Sequence, residues 1–236
     1  EDILKVSTCD LFIYVGGESD SWVADALKGA GNPDRKAINL MDVLGDQVKE
    51  EEIVEGMQDE DGHTHEEEHT HDDDLEYDEH VWLSLKNASL FCDTIASSLA
   101  DVDPEHSRLY QQNAEAYEEK LAALDQEYQT SVEKSQSKTL LFADRFPFRY
   151  LIDDYNLTYY AAFAGCSAET DASFETITFL AGKLDELKLP AVLTIENSDQ
   201  KVAKAVIENT NTKDQKILTL NSMQSVTTKD VEEGTT

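Results

Sequence analysis

Apolar residues in the last third of the chain alternate between two spacings. Short continuous apolar runs are typical of buried strands, whereas apolar residues three or four positions apart are typical of helices. The runs predict strands at 139–143, 158–163, 191–195 and 217–220. The wider spacing predicts helices at 147–155, 174–187 and 201–209. Because strands and helices alternate along the chain, this region predicts a parallel sheet in an α/β domain.

The N-terminal part of the chain follows the same alternation. An apolar run at 11–15 ends at a pair of glycines, which predicts a buried strand followed by a turn. Apolar residues on one face predict a helix at 21–29, and a second short strand is predicted at 37–40. A further helix is predicted at 86–100. The order strand, helix, strand predicts a separate α/β region.

One long helix is predicted between these two regions. Apolar or small residues recur at helical steps, at Tyr110, Ala114, Tyr117, Leu121, Leu124 and Tyr128. Asp103 is a preferred helix cap and Pro104 suits the first helical position, so we expect the helix to begin there. Its predicted length of roughly 45 Å indicates a connection between two lobes. The predicted domains are an N-terminal lobe at 1–102, a connecting helix at 103–137 and a C-terminal lobe at 138–236.

The segment 47–78 is rich in acid and histidine. It holds 15 acidic side chains and four of the six histidines, with almost no apolar residue that could anchor it. Such a segment predicts a mobile loop. Two H-x-H pairs flank three glutamates, and imidazole and carboxylate ligands suit zinc, so we expect weak and exchangeable metal binding by His63, His65, His69 and His71. The alternative is a solvated acidic spacer whose histidines are incidental.

Composition narrows the classes of function. With 19 basic and 50 acidic residues, the formal net charge is −31, which argues against binding to nucleic acid or anionic lipid and favours cations. No apolar run reaches the roughly 18 residues that span a bilayer. The chain contains no G-x-S-x-G, H-E-x-x-H, P-loop or G-x-G-x-x-G motif, so we expect a protein that is not an enzyme. Three cysteines, an odd number, argue against a disulfide framework.

Polar residues just past the predicted strands form a candidate binding rim. Ligands of parallel sheets bind beyond the carboxyl ends of the strands, where this chain places Asp144, Cys166, Glu169, Glu196 and Asn221. His80, at the end of the acidic segment, is a further candidate. A single histidine beside apolar residues is more often structural than a metal ligand. Spacing alone therefore leaves both interpretations of His80 open.

Two motifs resemble the substrate-binding proteins of zinc and manganese ABC importers. Residues 9–17 read CDLFIYVGG and are followed by Trp22, which resembles the family's ADLFIYNG…W segment. Residues 80–88 read HVWLSLKNA and resemble the family's HVWLDPKNA motif. The acidic histidine-rich segment stands where zinc-specific members carry one. The motif at Asp103-Pro104 and the long helix follow in the family's order, so the resemblance covers nearly the whole chain.

This resemblance implies a structure and a function. It implies two α/β lobes with parallel sheets, joined by one long connecting helix, with a metal cleft between the lobes. It implies an extracytoplasmic protein, at the cell surface or in the periplasm, that hands zinc, or manganese as the alternative cargo, to an ABC permease. We expect a monomer. The histidine of the HVWL motif is a metal ligand in the family, and this role carries over to His80.

The resemblance also implies departures at the other ligand positions. The family's first ligand lies upstream of the ADLFIY segment and is therefore expected to precede Glu1. We expect a divergent member with a rearranged site, a chain trimmed at both ends, or both. Its later ligand positions are held here by Ala143 and Asn221. We therefore expect other residues to complete the coordination, namely Asp144, Glu169 and the histidines His63, His65, His69 and His71.

Other functions stay open on the sequence alone. A metal-buffering or metal-sensing protein would act through the histidine-rich segment and have a degenerate cleft. A metallohydrolase would need a metal-bound water and a general base in an open site, and no second clustered set of ligands supports this. The same receptor fold could also carry a chelate or another metal.

Overall fold

The computed structural model of the chain describes residues 2–28, 31–58, 76–167, 171–225, 231–232 and 234. It divides into two compact units. The first comprises Glu1–Glu51, Asp74–Ser135 and Arg149–Tyr155, and the second comprises Glu52–Asp73, Gln136–Phe148 and Asn156–Thr236.

The first unit is mainly helical. Its helices are α1 (Asp2–Thr8), α2 (Val23–Leu27), α3 (Leu40–Leu44), α4 (Leu85–Val102), α5 (Ser107–Lys134) and α6 (Arg149–Asp154). Its strands are β1 (Leu11–Tyr14) and β2 (Lys36–Asn39), which pair in parallel. Short 3-10 helices lie at Gly45–Gln47, Val81–Leu83 and Pro104–His106. A core of Met41, Leu44, Val81, Phe91 and Tyr150 joins α3, α4 and α6.

Helices α4 and α5 begin in different ways. Ser84 caps α4, because its hydroxyl accepts a hydrogen bond from the backbone N–H of Asn87 and donates one to Asp154 at 2.6 Å. The prediction that the long helix begins at Asp103 and Pro104 is wrong for α5, because these two residues start the 3-10 turn and His106 precedes α5. The Asp103 carboxylate accepts hydrogen bonds from the His106 ring and the Tyr110 hydroxyl, each at 2.7 Å. The 3-10 turn therefore comes first, and α5 starts at Ser107.

The described residues of the second unit include a four-stranded parallel sheet and the helices α7 and α8. Its elements are β3 (Thr139–Phe146), β4 (Thr158–Ala164), α7 (Phe174–Leu187), β5 (Ala191–Ile195), α8 (Lys201–Glu208) and β6 (Lys216–Leu220). The strand order is β4-β3-β5-β6. The core is apolar and includes Leu141, Phe163, Leu180, Leu184, Val192 and Val206. Buried parallel strands need apolar residues on both faces, which is why their runs are continuous in the sequence.

The predicted fold class is confirmed, since both units combine helices with parallel strands. The predicted bounds of α7 and β5 agree with the structure, whereas α2 is shorter than expected and β3 continues three residues beyond 143. Helix α5 belongs to the first unit, where it packs against α4. Its role as a connection, and the domain bounds at 102 and 137, stay predictions. In the described part of the chain, no helix is long and apolar enough to cross a membrane.

The cap of α4 gives a first testable prediction. Ser84→Ala removes a buried hydroxyl that satisfies an N–H at the helix start and binds Asp154. We expect the free energy of unfolding in urea to fall by about 1–2 kcal/mol. Ser97→Ala, on the exposed face of the same helix, is the control and should change it by less than about 0.5 kcal/mol. Equal effects of the two substitutions would contradict the assigned cap.

Candidate metal site

The segment that leads into His80 pairs with a second short segment around Glu50. Glu50 and Tyr77 form an antiparallel bridge. One residue further along, the backbone N–H of Asp78 donates to the carbonyl of Lys49 at 2.9 Å. The chain that leads into His80 is therefore held by backbone hydrogen bonds.

The predicted loop at 47–78 is consequently shorter than expected. Val48 packs against the core of the first unit. In the second unit, the backbone N–H of Gln58 donates to the carbonyl of Ala162 at 3.0 Å, and the Gln58 side chain accepts a hydrogen bond from the backbone N–H of Ser173. The expectation of a mobile loop is wrong for these ends. Its middle, 59–75, lies outside the described residues.

His80 is buried and fixed by a carboxylate two residues earlier. Its side chain is about 5% exposed, and that of Asp78 about 3%. One oxygen of Asp78, Oδ1, lies 2.8 Å from the backbone nitrogen of His80 and 3.0 Å from its ring Nδ1. The Asp78 carboxylate can accept a proton from Nδ1, an arrangement common for histidine ligands in zinc sites, which then bind the metal through Nε2.

Asp78 is in turn held through its backbone. The Tyr150 hydroxyl donates a hydrogen bond to the Asp78 carbonyl at 2.9 Å. Burial raises the pKa of Tyr150 to about 12, with a further contribution from the charge of Asp78. The phenol therefore stays protonated, and remains a donor, throughout the neutral range.

Glu79 fixes the turn after β1. Its Oε1 accepts a hydrogen bond from the backbone N–H of Ser19 at 2.9 Å. Gly17 has a φ of +78°, and a Cβ at this position would lie 2.3 Å from the same Glu79 oxygen. Glycine is therefore required here both by backbone conformation and by space. This contact accounts for the second glycine of the pair that follows the first predicted strand, whereas a Cβ at Gly16 would meet the Asn39 side chain.

Asp144 lies within a strand and not past its end as predicted. It sits where the β3–β4 register shifts, between Phe142 and Arg145. Its Oδ1 accepts a hydrogen bond from the backbone N–H of Arg145 at 2.9 Å, and its Oδ2 lies 3.4 Å from the backbone nitrogen of Ile195. These contacts set the carboxylate at the carboxyl end of β5.

The two substituted ligand positions have different surroundings. Ala143 is buried in the core of the second unit, and its methyl group offers no ligand atom. Asn221 is exposed and accepts a hydrogen bond from the backbone N–H of Met223 at 2.8 Å. Glu196 accepts hydrogen bonds from the hydroxyl and the backbone N–H of Ser222, at 2.6 and 2.7 Å. Burial alone would raise the pKa of Glu196, but these hydrogen bonds outweigh it and lower the pKa below its usual value.

The remaining predicted ligands lie outside the described residues. They are Glu169, His63, His65, His69 and His71. Within 2–28, 31–58, 76–167 and 171–225, no three side chains of His, Cys, Asp or Glu come together as a set that could hold a metal. The structure thus brings His80 together with Asp78, and it places Asp144 in the second unit.

Sequence reasoning missed the residues that support His80. Asp78, Glu79 and Tyr150 each make a contact that orders this segment. The spacing of an aspartate two residues before a histidine could have indicated the first contact. The contact of Tyr150 spans 72 positions, and no local pattern indicates it.

Comparisons with known proteins give a matching family model and several relatives. A family model described as zinc-uptake complex component A, periplasmic, matches residues 1–234. The zinc-binding lipoprotein AdcA of Streptococcus pneumoniae serotype 4 is 29% identical over 98% of this chain and 44% of its own length. The metal ABC transporter substrate-binding lipoprotein SsaB of Streptococcus sanguinis is 27% identical over 89% of this chain and 64% of its own length. The chain spans less than half the length of AdcA.

Solved structures share the fold. A Zn(II)-bound mutant variant of AdcAII from Streptococcus pneumoniae superposes with a TM-score of 0.70 at 26% identity, covering 96% of this chain and 76% of that chain. The metal-dependent lipoprotein YcdH from Bacillus subtilis gives a TM-score of 0.72 at 22% identity, covering 99% and 76%. At 22% identity, the likeness to YcdH shows a shared fold alone.

The contact between Gly17 and Glu79 gives a second prediction. In Gly17→Ala the new methyl group displaces the Glu79 carboxylate, and the Ser19 amide loses its acceptor. Gly45→Ala is the matched control, because Gly45 also has a positive φ but open space around it. We expect Gly17→Ala to be less stable than Gly45→Ala by about 0.5–1.5 kcal/mol, with faster hydrogen exchange of the Ser19 amide. Unchanged exchange at Ser19 would contradict this assignment.

Proposed function

The chain belongs to the zinc-uptake complex component A family, and on that premise we propose that it captures zinc outside the cytoplasm and delivers it to an ABC permease in the membrane. The observation that carries this proposal is the buried pair of Asp78 and His80. The named relatives are a zinc-binding lipoprotein and a substrate-binding lipoprotein, which supports a carrier rather than an enzyme.

His80 is the proposed metal ligand. A buried imidazole whose Nδ1 contacts a carboxylate is held in a fixed orientation. Zinc accepts nitrogen ligands and four-coordinate geometry, whereas calcium and magnesium require six or more oxygens. The pair therefore favours zinc over the abundant divalent cations. Manganese remains the alternative cargo.

Asp144, Glu169 and the histidine-rich segment are the proposed additional ligands. Asp144 is anchored through Oδ1 and only weakly through Oδ2, so one oxygen can still turn to a metal. The acidic segment with His63, His65, His69 and His71 would raise the local concentration of cations and bind them loosely. Binding should weaken in acid, because an imidazole must be neutral to bind a metal.

A calorimetric titration of zinc into the metal-stripped chain tests the role of His80. We expect one tight site, weakened more than about 100-fold by His80→Ala, because a direct ligand is lost. His106→Ala is the matched control, since His106 also contacts an aspartate, Asp103, but is exposed. This control should leave the affinity unchanged. A tight site that survives His80→Ala would overturn the proposal.

Deletion of the histidine-rich segment separates a receptor from a buffer. The deletion should be confined to 60–74 and closed by a short Gly-Ser linker, because Gln58 and Asp78 make backbone hydrogen bonds that must be kept. We expect the weak sites to disappear and the tight site to remain. Loss of all zinc binding would instead identify a metal-buffering protein that acts through this segment.

Asp78→Asn tests the support of the ligand. The amide oxygen can still accept a hydrogen bond, but the negative charge beside the His80 ring is lost. We expect zinc affinity to fall by about 10- to 100-fold. Asp103→Asn, which alters the exposed pair with His106, is the control and should bind zinc as the unmodified chain does. Equal affinities of the two variants would show that Asp78 does not support metal binding.

A further inference from the structure

The antiparallel pair of Lys49 and Asp78 has an unusual second hydrogen bond. Opposite residues in such a pair normally exchange two direct N–H···O=C bonds. Here the first is direct, from the N–H of Asp78 to the carbonyl of Lys49 at 2.9 Å. The second runs through the Tyr150 hydroxyl, which accepts from the N–H of Lys49 at 3.1 Å and donates to the carbonyl of Asp78 at 2.9 Å.

The Tyr150 hydroxyl therefore takes the place of the second direct hydrogen bond between Lys49 and Asp78. It uses both capacities of a neutral phenol, one acceptor and one donor. Without it, either the two segments approach each other to make the direct bond, or the N–H of Lys49 and the carbonyl of Asp78 lose this partner. The first result moves the backbone of Asp78, and the second removes a contact that holds it.

Helix α6 holds the phenol in place. Tyr150 is about 2% exposed and packs in the core of the first unit. At the other end of the helix, Asp153 pairs with Lys49 at 2.6 Å, and Asp154 pairs with Lys86 at 3.0 Å. Core packing and ion pairs thus fix α6 on the same segments that carry Lys49 and His80.

We propose that Tyr150 is a positioning residue for metal capture. Its hydroxyl sets the separation of Lys49 and Asp78, and through Asp78 it sets the orientation and tautomer of the His80 ring. This inference rests on the proposed function, because it assigns Tyr150 a role at the metal ligand proposed there. Tyr150 itself does not touch the metal.

Tyr150→Phe tests this role with two readouts. In the metal-free protein, the ¹⁵N resonances of the His80 ring report its tautomer, and we expect them to shift toward a mixture. With zinc, calorimetry should give an affinity lowered by about 10-fold, the lower end of the range for residues that support a ligand. Tyr155→Phe is the matched control, since it also removes a buried hydroxyl, one that donates to Asp125 at 2.8 Å. It should leave both readouts unchanged.

The double variant Tyr150→Phe/His80→Ala distinguishes failure of the proposed function from failure of the positioning role. If Tyr150 acts through His80, Tyr150→Phe has no further effect on zinc affinity in the His80→Ala background. If His80→Ala alone leaves zinc binding intact, the proposed function is wrong, whatever the tautomer. If His80→Ala removes the zinc site while Tyr150→Phe keeps both the His80 tautomer and the zinc affinity, the positioning role is wrong. The hydrogen bonds of Tyr150 then contribute to stability alone. Equal losses of zinc affinity in Tyr150→Phe and Tyr155→Phe would also overturn the positioning role.

Discussion

The burial of a carboxylate beside an imidazole is the constraint on which the first unit depends. Asp78 and His80 are both almost fully removed from water, and an unpaired charge in such a place is strongly unfavourable. The contacts around them meet this requirement. One Asp78 oxygen accepts from the backbone and the ring of His80, and Lys49 and Tyr150 satisfy the backbone of Asp78. The same contacts fix the approach of the chain to His80.

Much of the fold could be predicted because its elements are encoded locally. The bounds of α7 follow from Ser173, whose hydroxyl caps the helix start, and from Lys188, whose left-handed backbone ends it. Strands β3, β4 and β5 of the second unit are largely buried, so their apolar runs stand out in the sequence. Prediction failed where side-chain contacts or distant partners decide the conformation. Asp103 accepts hydrogen bonds from the His106 ring and the Tyr110 hydroxyl, and Gln58 in the acidic segment is ordered by Ala162 and Ser173, far along the chain.

The candidate site could be predicted only in part for the same reason. The HVWL motif identified His80, but its burial and its contact with Asp78 depend on the folded chain. Glu79 contacts Ser19 across 60 positions, and Tyr150 contacts Lys49 across 101. No local sequence pattern indicates which residue a carboxylate or a phenol will contact at such a separation. Residues that position a ligand are therefore harder to find than the ligand itself.

Net charge and the buried pair contribute differently to metal capture. A charge of −31 attracts every cation and does not distinguish zinc from magnesium or calcium. An imidazole does distinguish them, because the two hard cations take oxygen ligands whereas zinc accepts nitrogen. Salt screens exposed charges at distances beyond about 8–10 Å and screens buried pairs much less. Ionic strength should therefore slow the encounter with metal more than it weakens the bond proposed at His80. In the proposed site, selectivity would come from the imidazole of His80 and not from the net charge.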